Sequence, residues 1–257
     1  MCLLLIAYES HPRYRLILVA NRDESYSRPA EQARPWGDPA GTVAGVDLLG
    51  GGTWLGVTRA GRIAGLTNYR SPSEMRPATG TEPSRGELVT GFLRSEDSPT
   101  THLASLSARA DRYRGFNLVA GDASGLVYTS NCGEGARPIE PGIHGLSNHL
   151  LDTPWPKVLR AKARLTSILA ATGEGEIDPE PLFRFMRDDE IYPDADLPDT
   201  GVGLARERLL SPIFIRMPGY GTRCTTVLLQ ERTGAWTFIE RTHAPDPLPD
   251  VRYTFGP

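Results

Sequence analysis

The chain has 257 residues, 39% of them hydrophobic, with 28 Lys and Arg against 31 Asp and Glu for a formal net charge of −3. That length can bury a sizeable core and suits a single domain over 1–257, and the near-neutral balance with scattered arginines gives no basic field for nucleic acid. Cys2, Cys132 and Cys224 are too few and too far apart for a disulfide framework or zinc spacing, no metal-ligand spacing links the five histidines, and no stretch approaches the eighteen or so apolar residues of a membrane span.

Residues 2–8 form an apolar run of strand length, too short and too poor in basic flanks for a signal peptide, so a cytoplasmic protein is expected. Turn residues at 9–13 and a second apolar run at 16–20 complete a predicted hairpin. Three short strands are predicted at 42–46, 53–58 and 62–67, separated by glycine-bearing turns, followed by an exposed loop over 70–83. Ser84 with Glu87 three residues on predicts a capped helix to about Arg94, and a second helix is expected over 101–110. Strands follow at 116–121, 126–131 and 144–148.

The clearest helix spans 157–172, with Val158, Ala161, Leu165, Ile168, Leu169 and Thr172 on one stripe and Lys157, Arg160, Lys162 and Arg164 placed mostly elsewhere. Pro156 suits its first turn and Gly173 its stop. A shorter helix at 179–188, a loop at 188–199 and strands at 213–216, 225–230 and 236–241 complete the pattern. Strands at both ends of the chain with helices between them predict an α+β fold, a sandwich of two sheets covered by helices.

Chemistry concentrates at the amino terminus. With Met1 removed, Cys2 carries both a thiol and a free α-amine of pKa near ~8, a nucleophile and a base in one residue. The second predicted strand runs into Asn21-Arg22-Asp23-Glu24, where alternation puts Asn21 and Asp23 on one face and Arg22 and Glu24 on the other. Four consecutive polar groups are not all buried cheaply, so some are solvated, paired or functional.

These segments, together with Tyr26-Ser27-Arg28-Pro29, Gly51-Gly52-Thr53-Trp54-Leu55-Gly56, Leu66-Thr67-Asn68-Tyr69, Gly145-Leu146-Ser147-Asn148 and Gly219-Tyr220-Gly221-Thr222-Arg223, resemble the NRDE family, also called the transport-and-Golgi-organisation family. The resemblance implies a four-layer αββα fold of two antiparallel sheets, like that of the N-terminal-nucleophile (Ntn) hydrolases. It is similar in pattern to choloylglycine hydrolases and penicillin V acylases, with Ala20 standing where their motif arginine would be. It implies Cys2 as nucleophile, Asp23 orienting the amine, Asn68 and Asn148 as oxyanion donors and Arg223 as a later active-site arginine.

Asn21, Arg22, Glu24, Trp54 and Tyr69 are the expected pocket residues. Two functions follow: hydrolysis of an amide or thioester in a small acylated molecule with no cofactor required, or binding of haem or acyl-CoA in the same cleft. Oligomeric state is not legible.

Overall fold

The computed structural model describes residues 2–75 and 80–256, so the expectation for Met1 and the middle of the 70–83 loop lie outside the described residues. Its strands in chain order are β1 (Cys2–Tyr8), β2 (Tyr14–Ser25), β3 (Ala30–Pro35), β4 (Val43–Asp47), β5 (Leu55–Val57), β6 (Ile63–Asn68), β7 (Phe116–Asp122), β8 (Gly125–Ser130), β9 (Arg137–Pro138), β10 (Gly142–Leu146), β11 (Arg216–Met217), β12 (Tyr220–Glu231), β13 (Trp236–Thr242) and β14 (Leu248–Phe255). The helices are α1 (Gly86–Arg94), α2 (Pro99–Leu106), α3 (Pro156–Thr172), α4 (Pro179–Phe185) and α5 (Leu204–Leu210).

Among the described residues the strands form two sheets, paired antiparallel throughout. One runs β10-β1-β2-β12-β13-β14 with β11 attached to β12; the other runs β3 to β9 in sequence order. Alternation along β1 decides what each face touches. Leu3, Leu5 and Ala7 pack with Val158, Ala161 and Leu165 of α3 and Leu182 of α4. Leu4 and Ile6 face the opposite sheet, meeting Leu55, Ile63 and Val119. The far face of that second sheet carries Ala64, Leu66 and Leu118 against Leu88, Val89 and Phe92 of α1 and Leu103 of α2. The layers are therefore helix, sheet, sheet, helix, the αββα sandwich expected from the sequence.

Helix α3 sits as its apolar stripe predicts, with Pro156 at its first turn and Gly173 at its stop in a left-handed conformation (φ 61°). Leu165 is fully buried between it and the first sheet, and Leu165→Ala is expected to lower stability by about 2–5 kcal/mol, read as a shift of the urea midpoint.

Several elements differ from expectation. The first helix starts at Gly86 with Arg85 at its N-cap and no side-chain cap, so Ser84 and Glu87 do not form a capping box; the Glu87 carboxylate instead accepts from the Tyr113 hydroxyl. The second helix begins earlier, where the Ser98 side chain accepts from the Thr101 N–H, and passes into a 3-10 turn at Ser107–Arg112. Residues 213–215 are held by loop bonds, among them Ile215 N–H to Thr222 Oγ1 at 2.9 Å, and only Arg216–Met217 joins the sheet. Strands β3 and β14 carry little strand signal in the sequence because each contains proline and charge, the composition of edge strands. Lys157, expected off the apolar stripe, is 3% exposed.

Candidate active site

The β1–β2 register sets Cys2 opposite Arg22 and Leu3 opposite Asn21, and β2–β12 sets Arg22 opposite Cys224 and Asp23 opposite Thr222. Because side chains alternate, Cys2 points between the sheets. Arg22 shares that face, with its guanidinium carbon 3.8 Å from the centre of the Trp54 ring. Asn21 and Asp23 point the other way, toward the helices.

A cleft of about 660 Å³ opens beside Cys2, lined among others by Arg22, Glu24, Asp47, Trp54, Asn68 and Arg85. It lies between the carboxyl end of β2, the turn after β4 and the start of α1. Two glycines let these segments meet: a Cβ on Gly52 would fall 2.6 Å from the backbone carbon of Gly86.

Asp47 organises the cleft floor. Its Oδ2 accepts from Arg28 Nε at 2.6 Å and from Arg22 at 3.2 Å, while Oδ1 accepts the N–H groups of Leu49 and Gly50. Burial pushes its pKa up, but the Arg28 and Gly50 hydrogen bonds and the two arginine charges outweigh that and hold it below the ordinary carboxylate range. Asp47 therefore stays ionised and fixes Arg22 over Trp54.

Burial pushes the Cys2 thiol pKa up and the Asp23 charge adds to this, while a hydrogen bond from the Asp23 backbone and the Arg22 charge oppose it. Ser147 Oγ donates to the Cys2 carbonyl at 3.4 Å. Asn68, at the end of β6, lines the cleft, and among the described residues its side-chain amide has no hydrogen-bond partner. Its carbonyl accepts from Asn148 Nδ2 at 2.9 Å. Asn148 is fully buried one layer back, so it holds Asn68 rather than lining the cleft.

Of the residues expected from the sequence, Cys2, Arg22, Glu24, Trp54 and Asn68 are brought together around the cleft, and Asp23 joins through its backbone. Besides Asn148, three are directed elsewhere. Asn21 donates to the carbonyls of Met186 and Ile213, both at 2.9 Å, and accepts from Thr225 Oγ1, which ties β2 to the helical layer. Tyr69 pairs its hydroxyl with His149 Nε2 at 2.9 Å, outside the cleft. Arg223 occupies a bulge in β12 and donates to the carbonyls of Ser25, Arg28 and Ala244, so it clasps the turn after β2 and faces a neighbouring pocket.

Behind Asp23 lies a buried polar layer. Its carboxylate accepts from Thr222 Oγ1 at 2.6 Å; burial raises its pKa against the pull of Lys157. Lys157 donates from Nζ to the Leu210 carbonyl at 3.0 Å, and burial lowers its pKa to about 8 even with the Asp23 charge near it. Arg70 and Glu207 form an ion pair at 2.9 Å with side chains 8% and 3% exposed.

Over residues 1–245 the chain matches the family described as Transport and Golgi organisation 2. The chain belongs to that family. Relatives carrying the family name include the Transport and Golgi organization protein 2 homologs of Bos taurus and Homo sapiens, 38% and 37% identical, and the Drosophila melanogaster protein, 28% identical; each comparison covers 94% of this chain and 92% of the relative. A solved Caenorhabditis elegans N-acylethanolamine-hydrolyzing acid amidase ortholog is distantly similar in shape, at 12% identity and a TM-score of 0.49 over 89% of this chain and 92% of that one.

Sequence reasoning missed Asp47 and Arg85 in the cleft lining and Lys157 in the polar layer behind it. Asp47 gave only the signal of an acidic residue before a glycine-rich turn. Arg85 gave none beyond its place at a helix start. Lys157 read as solvent-facing because a lysine on a helix usually is. Among the described residues no group of His, Cys, Asp and Glu is placed to hold a metal ion, and no helix is long and apolar enough to cross a membrane.

Proposed function

We propose that this chain is a cysteine N-terminal-nucleophile hydrolase that cleaves an amide or thioester bond in a small acylated molecule. The observation that carries the reading is that Cys2 and the Asn68 amide, unpartnered among the described residues, come from different sheets and line one cleft. Acyl transfer requires a nucleophile, a base and a donor aimed at the oxygen that becomes anionic. Cys2 Sγ attacks the carbonyl carbon, its own α-amine takes the thiol proton once Met1 is removed, and Asn68 Nδ2 stabilises the developing oxyanion. The amine or thiol of the substrate leaves with that proton, and water then releases the acyl group from sulfur. Arg22, held by Asp47, supplies positive charge on the thiol's face of the sheet.

Haem fits this cleft poorly. His149 bonds through both ring nitrogens, to Tyr69 and Thr153; His144 bonds likewise to Asp152 and the Glu140 carbonyl; His243 bonds Thr225. None of the five histidines lines the Cys2 cleft, whose lining sets the charged groups of Arg22, Asp23, Glu24, Arg28, Asp47 and Arg85 among Leu49, Trp54 and Leu66 where a flat macrocycle needs continuous apolar faces.

The test is a panel of acyl amides and acyl thioesters incubated with protein whose intact mass shows whether Met1 is gone. Turnover by the processed form alone supports the reading, and turnover by neither form removes it. With a turned-over substrate in hand, Asn68→Ala is expected to lower kcat by about 10²–10³-fold while KM stays within a few-fold, because the lost hydrogen bond matters most when the oxygen carries charge.

A further inference from the structure

The arginines around the cleft differ in what neutralises them. Arg22 and Arg28 share Asp47, and Arg70, behind the cleft, is paired with Glu207. Arg85 is different. It precedes α1, lines the same cleft as Cys2, and among the described residues has no carboxylate at ion-pair distance. Its one hydrogen bond runs from Nη1 to the Gly115 carbonyl at 3.0 Å. Half of the guanidinium fork is thus left without a partner.

The position of that group is fixed rather than incidental. Gly115 is itself held by its N–H donating to Glu74 Oε2 at 2.7 Å, and the start of α1 is locked against the turn after β4 by the Gly52–Gly86 approach. Arg85 is only partly buried, and with one carbonyl as its protein partner its remaining N–H donors are available to an anion entering the cleft. Glu24 and Glu74 are the carboxylates near enough to act on it through space, and Arg114 opposes them with like charge. Glu24 is turned back on its own strand end, where Oε1 accepts the Ser25 N–H at 2.8 Å.

We infer that Arg85 is the specificity residue of the cleft and binds a carboxylate carried by the substrate at a distance from the scissile bond, so the preferred substrates are acyl compounds whose leaving group is an amino acid or a similar monoanion. A planar carboxylate matches the free edge of the guanidinium. The assignment of the amino acid as leaving group rests on the hydrolase reading, but the recognition itself does not require turnover.

The experiment separates the two. Binding of N-octanoylglycine and of its neutral analogue N-octanoylglycinamide is measured by calorimetry on the full chain carrying Cys2→Ala, so that no turnover occurs, and on the same chain with Arg85→Gln or Arg85→Lys added. The expected result is that the acid binds about tenfold or more tightly than the amide, the scale of a charge-assisted hydrogen bond, and that Arg85→Gln erases the preference while Arg85→Lys keeps part of it. The amide binding Arg85→Gln as well as its parent shows that the variant is folded. Equal binding of acid and amide by the parent, a preference that survives Arg85→Gln, or no binding of either ligand would overturn the inference. An acid preference that depends on Arg85 in a protein without turnover upholds the recognition site and removes only the nucleophile.

Discussion

Replacing Cys2 by alanine is expected to reduce turnover of any amide or thioester substrate by a factor on the order of 10³–10⁶, because the sulfur forms the bond that the rest of the site stabilises. Substrate binding should persist, since Asn68, Arg22 and Arg85 belong to other strands or to the start of α1. Burial holds the thiol pKa up, so the thiolate fraction and any rate that depends on it should climb as pH rises through the alkaline range. Alkylation with iodoacetamide followed across pH reads this directly. Cys132, its thiol pushed up to about 11 by burial, is distinguished from Cys2 by mapping the alkylated peptide. Turnover equal in the parent and the Cys2→Ala protein would leave the proposed mechanism without its first step.

The largest expected effect on stability lies behind the cleft, at Glu207. It accepts from Arg70 and from the backbone and hydroxyl of Thr200, and its side chain is 3% exposed. Glu207→Ala removes the acceptor while leaving Arg70 and Lys157 buried, and about 3–5 kcal/mol of stability should go with it. Urea denaturation of Glu207→Ala, Arg70→Met and the double variant tests the cause. If uncompensated charge is responsible, the double variant is less destabilised than the sum of the singles. Simple additivity would mean that the pair acts through packing alone.

How far the sequence reveals this protein depends on what each residue's signal reflects. The hairpin of β1 and β2, the α3 helix and the layer order follow from hydrophobic period, which is local and robust. Cys2 and the alternation of residues 21–24 are equally local, and the pairing of Arg22 with the thiol's face needed only the register. Arg223 is different: a bulge in β12 changes the direction of one side chain, and nothing in Gly221-Thr222-Arg223 announces a bulge. Asn148 is legible as polar but not as buried one layer back, because that depends on how β10 ends against β6, far away in sequence. Arg85 and Lys157 depend on which wall a helix end abuts, a tertiary fact that overrides the usual exposure of their types.

The tip of the first hairpin ties chemistry to counting. His11 Nδ1 accepts the N–H groups of Arg13 and Tyr14, and Glu9 takes a left-handed turn at φ 50°, so the span between Tyr8 and Tyr14 has one length that closes it. Parity is what this tip transmits: displacing β1 by a single position against β2 would swing the sulfur and Leu4 to the helical side and bring Leu3 and Leu5 between the sheets, whereas a displacement of two would restore the facing but not the partner. A turn at the far end of the hairpin thus acts as the gauge that decides which way the first side chain looks.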